Sequence, residues 1–222
     1  MSGDIRMRSG HDGFLTGRSA HGRTTDADEL FVQTINRLRH DWMNDVQVLY
    51  GYLKLKKYDK MNDYVETIVQ KMIRESLISR LGIPSLVVYL QSFRAVCSSV
   101  ELQVELPEPL DLNELPVDPY GVAEMMMRIM DGFKRFAIPR GGEPNRLFLR
   151  LSAEGERLWI RFDYRGEYEP ALEAELVDIW NNGGRNDWEA NGYFGNSRAE
   201  CVVQVPYAAK EKVATSRGGP CL

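Results

Sequence analysis

The stretch "LRHDWMNDVQVLYGYLKLKKYDKMNDYV", residues 38–65, decides the fold. Together with the residues just before it, it places apolar side chains at Phe31, Ile35, Leu38, Trp42, Val46, Leu49 and Leu53. Steps of four and three define one helical face, and at about 100° per residue all seven fall within a narrow stripe. The chain then turns at "KKYD", where Asp59 is expected to cap a second helix running to about Arg80. Met61, Val65, Ile68 and Met72 form the stripe of that helix. So short a connection predicts an antiparallel pair.

Upstream, Thr25 or Asp26 is placed to cap the first helix, with Asp28 and Glu29 favourable in its first turn. Residues 1–27 are rich in Gly, Ser and Arg and lack periodicity, so they are expected to be a disordered extension, with His11 and His21 in it. Downstream, Gly82 and Pro84 stop the second helix. The hairpin is therefore expected to span 28–82.

From Ser85 the pattern changes to "SLVVYLQSFRAVC" (helix), "ELQVEL" (strand) and "DPYGVAEMMMRIMDGFKRF" (helix). "NRLFLRLSAEG" and "ERLWIRFDYRG" alternate as a strand hairpin, "PALEAELVDIW" is helical, and "ECVVQVP" closes as a strand. "NNGGRNDWEANGYFG", residues 181–195, reads as a loop. The fold class is α+β: a helical hairpin, then a small α/β sandwich over 83–208 with helices on one sheet face, then a flexible tail over 209–222. Met125, Met126 and Met127 read as core filling, and Trp159 and Trp188 need no role beyond packing.

The 222 residues are 43% hydrophobic and 27% charged, with a formal net charge of -4. That balance lacks the basic footprint of a nucleic-acid binder. No run of about 18 apolar residues suggests a membrane span, and the polar N-terminus lacks a secretory core, so a cytoplasmic location is expected. Cys97, Cys201 and Cys221 are odd in number and scattered, which argues against a disulfide framework or a zinc site.

His40 falls roughly 180° from the centre of the apolar stripe and so points into solvent, alongside Gln33, Asn36, Asn44, Gln47 and Gly51. A neutral imidazole is a competent nucleophile near pH 7, and Asp41 or Asn44 is close enough to hold its ring. By residue type alone an ordinary surface histidine is the favoured reading. Glycine inside a helix costs about 1 kcal/mol, so Gly51 marks either close helix packing or the close approach of something else. A Ser-His-Asp hydrolase lacks its GxSxG elbow, and Asn36 and Asn44 are poor zinc partners for His40.

Arg39-His40-Asp41, then Asn44, a Gly-Tyr-Leu segment and a Leu-x-x-x-x-Tyr-Asp turn resemble the sporulation initiation phosphotransferase B family. The same run is similar to the dimerisation region of citrate/malate-type sensor histidine kinases. The resemblance implies a homodimer in which two hairpins form a four-helix bundle. It implies that His40 accepts phosphate from the aspartyl-phosphate of one receiver domain. The phosphate then passes to the aspartate of a second response regulator, a sporulation transcription factor. Asp41 and Asn44 would orient or tune His40, and Arg37, Arg39, Gln47 and Gly51 would meet the receiver. A single hairpin would leave much of its apolar face wet, which also argues for a dimer.

In the related kinases the second domain binds ATP through an asparagine box and glycine boxes. Here "RIMDGFKRF" offers Gly132 at the asparagine position, and "DYRGEY" keeps Asp163 and Gly166 at altered spacing. The domain thus resembles a degenerate histidine-kinase ATPase domain. No cofactor, metal or ATP is expected on this chain; magnesium is expected in the partner's receiver site. Two alternatives remain, an ATP-dependent sensor-type histidine kinase and a non-enzymatic dimer that docks receivers.

Overall fold

The computed structural model describes residues 26–139, 144–182 and 188–207. Residues 1–25 of the expected N-terminal extension, the Thr25 cap, Cys221 and the expected C-terminal tail lie outside the described residues, whereas residues 26 and 27 already belong to the first helix.

Two long helices come first, α1 (Asp26–Lys54) and α2 (Tyr58–Ile78). Asp26, Asp28 and Glu29 crowd the first turn of α1 and Lys54 closes its last, each charge opposed to the helix dipole. The turn between them is tight: Lys56 takes a positive φ of 54°, and the Lys57 amide donates to Tyr52 O at 3.0 Å. Asp59 is not the cap. Lys57 holds that position without a side-chain bond, and Asp59 sits inside the first turn of α2, where its charge still suits the dipole.

The face of α1 turned towards its neighbours carries Thr34, Leu38, Asp41, Asp45, Leu49 and Tyr52, all partly covered. This face is rotated by about 50° from the centre of the apolar stripe. Much of the stripe is consequently bare: Phe31 is 66% exposed, Trp42 59% and Val46 59%. Asp45 ties the hairpin together. It accepts from the Tyr64 hydroxyl at 2.8 Å and from Lys71 Nζ at 3.4 Å, and Tyr52 meets Tyr64 edge to face.

The second unit is a two-layer α/β sandwich. Its helices are α3 (Pro84–Val96), α4 (Pro119–Phe136) and α5 (Ala171–Asn182). Its strands are β1 (Val100–Glu105), β2 (Asn145–Glu154), β3 (Arg157–Arg165), β4 (Glu189–Phe194) and β5 (Arg198–Pro206), in the order β1-β2-β3-β5-β4. Only β1–β2 is parallel, as expected for strands joined through a helical crossover. Alternation puts Leu147, Leu149, Ile160, Phe162, Cys201 and Val203 under the helices. Phe133 of α4 stacks on Tyr164 at 5.0 Å, and burial pushes the Cys201 thiol up to about 12. Met125 and Met126 are buried, in keeping with core filling.

One reading needs correction. Part of the expected loop at 181–195 is strand β4, paired along β5. Asn191 and Gly192 are poor strand formers, and the pairing is imposed by packing: the Trp180 ring of α5 lies so close over Gly192 that a Cβ there would overlap it. Residues 183–187 of that stretch lie outside the described residues. Trp159 is half-buried on the open face of the sheet.

The joint between hairpin and sandwich depends on Gly82, whose φ is +79°. A Cβ there would run into the side chains of Asp111 and Asn113. Gly82→Ala is therefore expected to lower stability by about 1–3 kcal/mol, read as a lower urea midpoint with an unchanged slope.

Candidate phosphoacceptor site on the first helix

His40 stands on the outer side of α1 with its side chain 65% exposed. Its Nδ1 lies 3.2 Å from Asn44 Nδ2, one helical turn further on. Asp41 Oδ1 is 3.7 Å from the same nitrogen, and Arg37 Nε is 3.4 Å from that same oxygen. Two neighbours thus address one ring nitrogen, and the structure gives Nε2 no side-chain hydrogen bond among the described residues. The i, i+4 spacing of a helix is what brings Asn44 to His40 and Asp41 to Arg37.

The choice of tautomer follows from Asn44. With its NH2 towards Nδ1, that nitrogen must accept, and the proton sits on Nε2. A half-turn of the amide puts the oxygen there instead; Nδ1–H then donates, and Nε2 carries a lone pair facing solvent. The second arrangement makes the exposed nitrogen nucleophilic.

Gln33, Asn36, Asn44 and Gln47 are all exposed around His40, as the helical phase predicts, and Arg39, a quarter-turn or more round the helix, is exposed too. Gly51 is partly covered, yet an added Cβ would meet nothing within 4 Å. Close packing within the chain therefore does not explain it. Arg37 is engaged with Asp41 rather than simply projecting into water, a pairing the sequence signals by its i, i+4 spacing. The Asp45–Tyr64–Lys71 tie was not foreseen. Its only sequence signal is an aspartate next to the packing face.

The residues compared with kinase boxes do not converge. Gly132 is buried on α4, and a Cβ there would sit 3.3 Å from Leu176 of α5. Asp163 lies on the opposite side of the sheet, paired with Arg198 and Arg165 at 3.1 Å each. Gly166 adopts a φ of +156° packed against Asn145, a structural use. No helix among the described residues is long and apolar enough to cross a membrane.

Residues 22–81 match the family model of the alpha-helical domain of SpoOB-type sensor kinases. The chain is 27% identical over 176 residues to sporulation initiation phosphotransferase B of Bacillus subtilis (strain 168), covering 78% of this chain and 88% of that protein. Among solved structures, the histidine kinase AdeS of Acinetobacter baumannii aligns over 77% of this chain and 98% of its own, at 10% identity and TM-score 0.42. A structure titled as a bacterial phosphotransferase aligns over 82% of this chain and 98% of its own, at 14% identity and TM-score 0.36.

The hairpin tie has a pH signature. Hydrogen bonding to Asp45 raises the Tyr64 pKa above the usual 10.0. Its contribution is present below about pH 10 and is lost as pH rises through the higher folded value. Tyr64→Phe should cost about 1 kcal/mol at neutral pH in chemical denaturation, and the gap to wild type should narrow at strongly alkaline pH.

Proposed function

We propose that this chain, whose hairpin is of the SpoOB sensor-kinase type, is a histidine phosphotransferase of a two-component phosphorelay. The observation that carries the reading is His40: exposed, opposite the apolar stripe, and contacted at Nδ1 by Asn44 and Asp41 while Nε2 has no side-chain hydrogen bond among the described residues.

In the forward step Nε2 attacks the phosphorus of a receiver's aspartyl-phosphate in line. The new N–P bond forms as the bond to the carboxylate oxygen breaks, and the carboxylate leaves with the electron pair. The receiver's own magnesium ion supplies charge neutralisation on the phosphoryl oxygens. Asn44 accepts the Nδ1 proton's hydrogen bond, so the ring holds the nucleophilic tautomer and bears its growing positive charge against Asp41. Arg37 shares the Asp41 carboxylate and keeps it from closing fully on the ring. Transfer to a second receiver reverses the same step, with phosphohistidine as donor. Arg39, Gln47 and Gly51 offer the surrounding contact surface, and bare backbone at Gly51 admits a close approach.

The reading includes a homodimer in the cytoplasm. Ile35, Trp42 and Val46 of α1 and Val65, Val69 and Met72 of α2 leave a wide apolar face in water. A second copy covering it completes a four-helix bundle and leaves both His40 side chains outside. No nucleotide enters this chemistry. The separation of Gly132 from Asp163 across the sheet supports that view over an autokinase.

The test is transfer from a radiolabelled phospho-receiver with magnesium and without ATP. Wild type is expected to acquire acid-labile, base-stable label and His40→Gln none; unlabelled wild type across several relay receivers would defeat the reading. Asn44→Ala should slow labelling by about tenfold while leaving receiver binding intact. In sedimentation, wild type should run near twice 25.4 kDa and Trp42→Glu as a monomer.

A further inference from the structure

The turn that joins α1 to α2 gathers lysine. Lys54, Lys56, Lys57 and Lys60 stand there, in a chain whose formal net charge is -4. Every residue from Leu53 to Lys60 is exposed, so no other described element covers this tip. Of the other lysines among the described residues, Lys71 is held by Asp45 and Lys134 by Asp131. The lysines left without an ion pair there all belong to the tip. Asp59 and Asp63 are the nearest carboxylates along the chain. Their i, i+4 spacing puts both on one side of α2, and Asp63 lies about 9 Å back from Lys57. Four lysines against two aspartates leave the tip at +2 while the whole chain is at -4.

The tip is also apolar. Leu55 is 64% exposed and Tyr58 52%. Leu55 sits in the turn, past Leu53, where the α1 stripe ends, so it is not part of the face that a second copy would cover. The positive φ of Lys56 reverses the chain within two residues, which makes the tip a convex point rather than a groove. Lysine beside leucine and tyrosine is the mixture found where a protein meets the headgroup layer of a bilayer, with the aliphatic stems along the apolar groups and the charges at the phosphates.

We propose that the hairpin tip docks on an anionic lipid surface, with its lysines among the headgroup phosphates and Leu55 at the acyl boundary. Charge, shape and residue type select this occupant. A chain at -4 is otherwise repelled by such a surface, so attraction has to come from a local basic patch. Protein interfaces are depleted in lysine and favour arginine, and the tip has no arginine. A convex point offers a partner protein no pocket, whereas mobile headgroups close around it. A single turn meets few phosphates of a nucleic acid and leaves Leu55 in water. A second copy would set like charges against each other at a two-fold axis through the tip. Lys54 lies about 21 Å along α1 from His40, so the two surfaces are separate and neither depends on the other.

The test is co-sedimentation of the full chain with vesicles of phosphatidylcholine, alone or with phosphatidylglycerol added to about one-third. Wild type is expected to partition at least about tenfold more strongly onto the anionic vesicles and to be released by salt. The triple variant Lys54→Gln, Lys56→Gln, Lys57→Gln should lose that preference. Leu55→Ser keeps every charge and should weaken partition about threefold. Asp59→Asn with Asp63→Asn should strengthen it about threefold on anionic vesicles alone, a selective gain that misfolding does not produce. Equal partition onto both vesicle types would overturn the proposal, and so would wild-type partition in the lysine variant, which would place the contact elsewhere. Unchanged partition in Leu55→Ser would reduce the effect to diffuse charge attraction and overturn the docking. Tighter binding of poly-glutamate than of anionic vesicles, at equal anionic charge, would assign the tip to an acidic protein segment instead. Tighter binding of poly-uridylate would assign it to nucleic acid.

Discussion

The phase of α1 governs everything built on it. With about 3.6 residues per turn, one helix offers a few directions and no more. One goes to its neighbours within the chain, through Leu38, Asp45, Leu49 and Tyr52. The next, some 50° round, carries Phe31, Trp42 and Val46 and is left exposed. The far side is polar and holds His40. The Asp45–Tyr64–Lys71 tie fixes this phase, because it joins one point on α1 to points two turns apart on α2. A rotation of α1 that broke the tie would swing Trp42 towards α2 and carry His40 away from its outward aim.

The groups around His40 act on its ring from one side. Asn44 and Asp41 both address Nδ1, and neither reaches around to Nε2. An exposed histidine without them would sample both tautomers and several rotamers. These neighbours reduce that freedom and hold the ring in a narrower set of orientations. Arg37 moderates the arrangement by sharing the Asp41 carboxylate.

Much of this was legible in the residues. The spacing from Phe31 to Leu53 gave both helix and outward histidine, and alternation gave β2, β3 and β5. The misses have physical causes. Asp59 has a cap's chemistry, but the tight turn at Lys56 starts α2 before it. The strand at Glu189–Phe194 is written in glycine and asparagine, and exists because β5 offers an edge and Trp180 needs a residue without a Cβ beneath it. The register, which puts Trp159 beside Gln204 and opposite Ser152, turns that ring to the open face of the sheet. Helical and strand phase, invisible in a motif, sends Gly132 and Asp163 to different layers.

The joint at residues 79–83 has a mechanical consequence. Leu81 and Ile83 are fully buried, the Leu112 amide donates to Leu81 O at 3.0 Å, and the Asn113 amide donates to Gly82 O at 2.9 Å. The connection is thus clamped on both sides of its one flexible glycine. A machine that carries a nucleotide on one body to a histidine on another needs a swinging hinge. A clamped strut does the opposite: it fixes the direction in which α1 and α2 leave the sandwich.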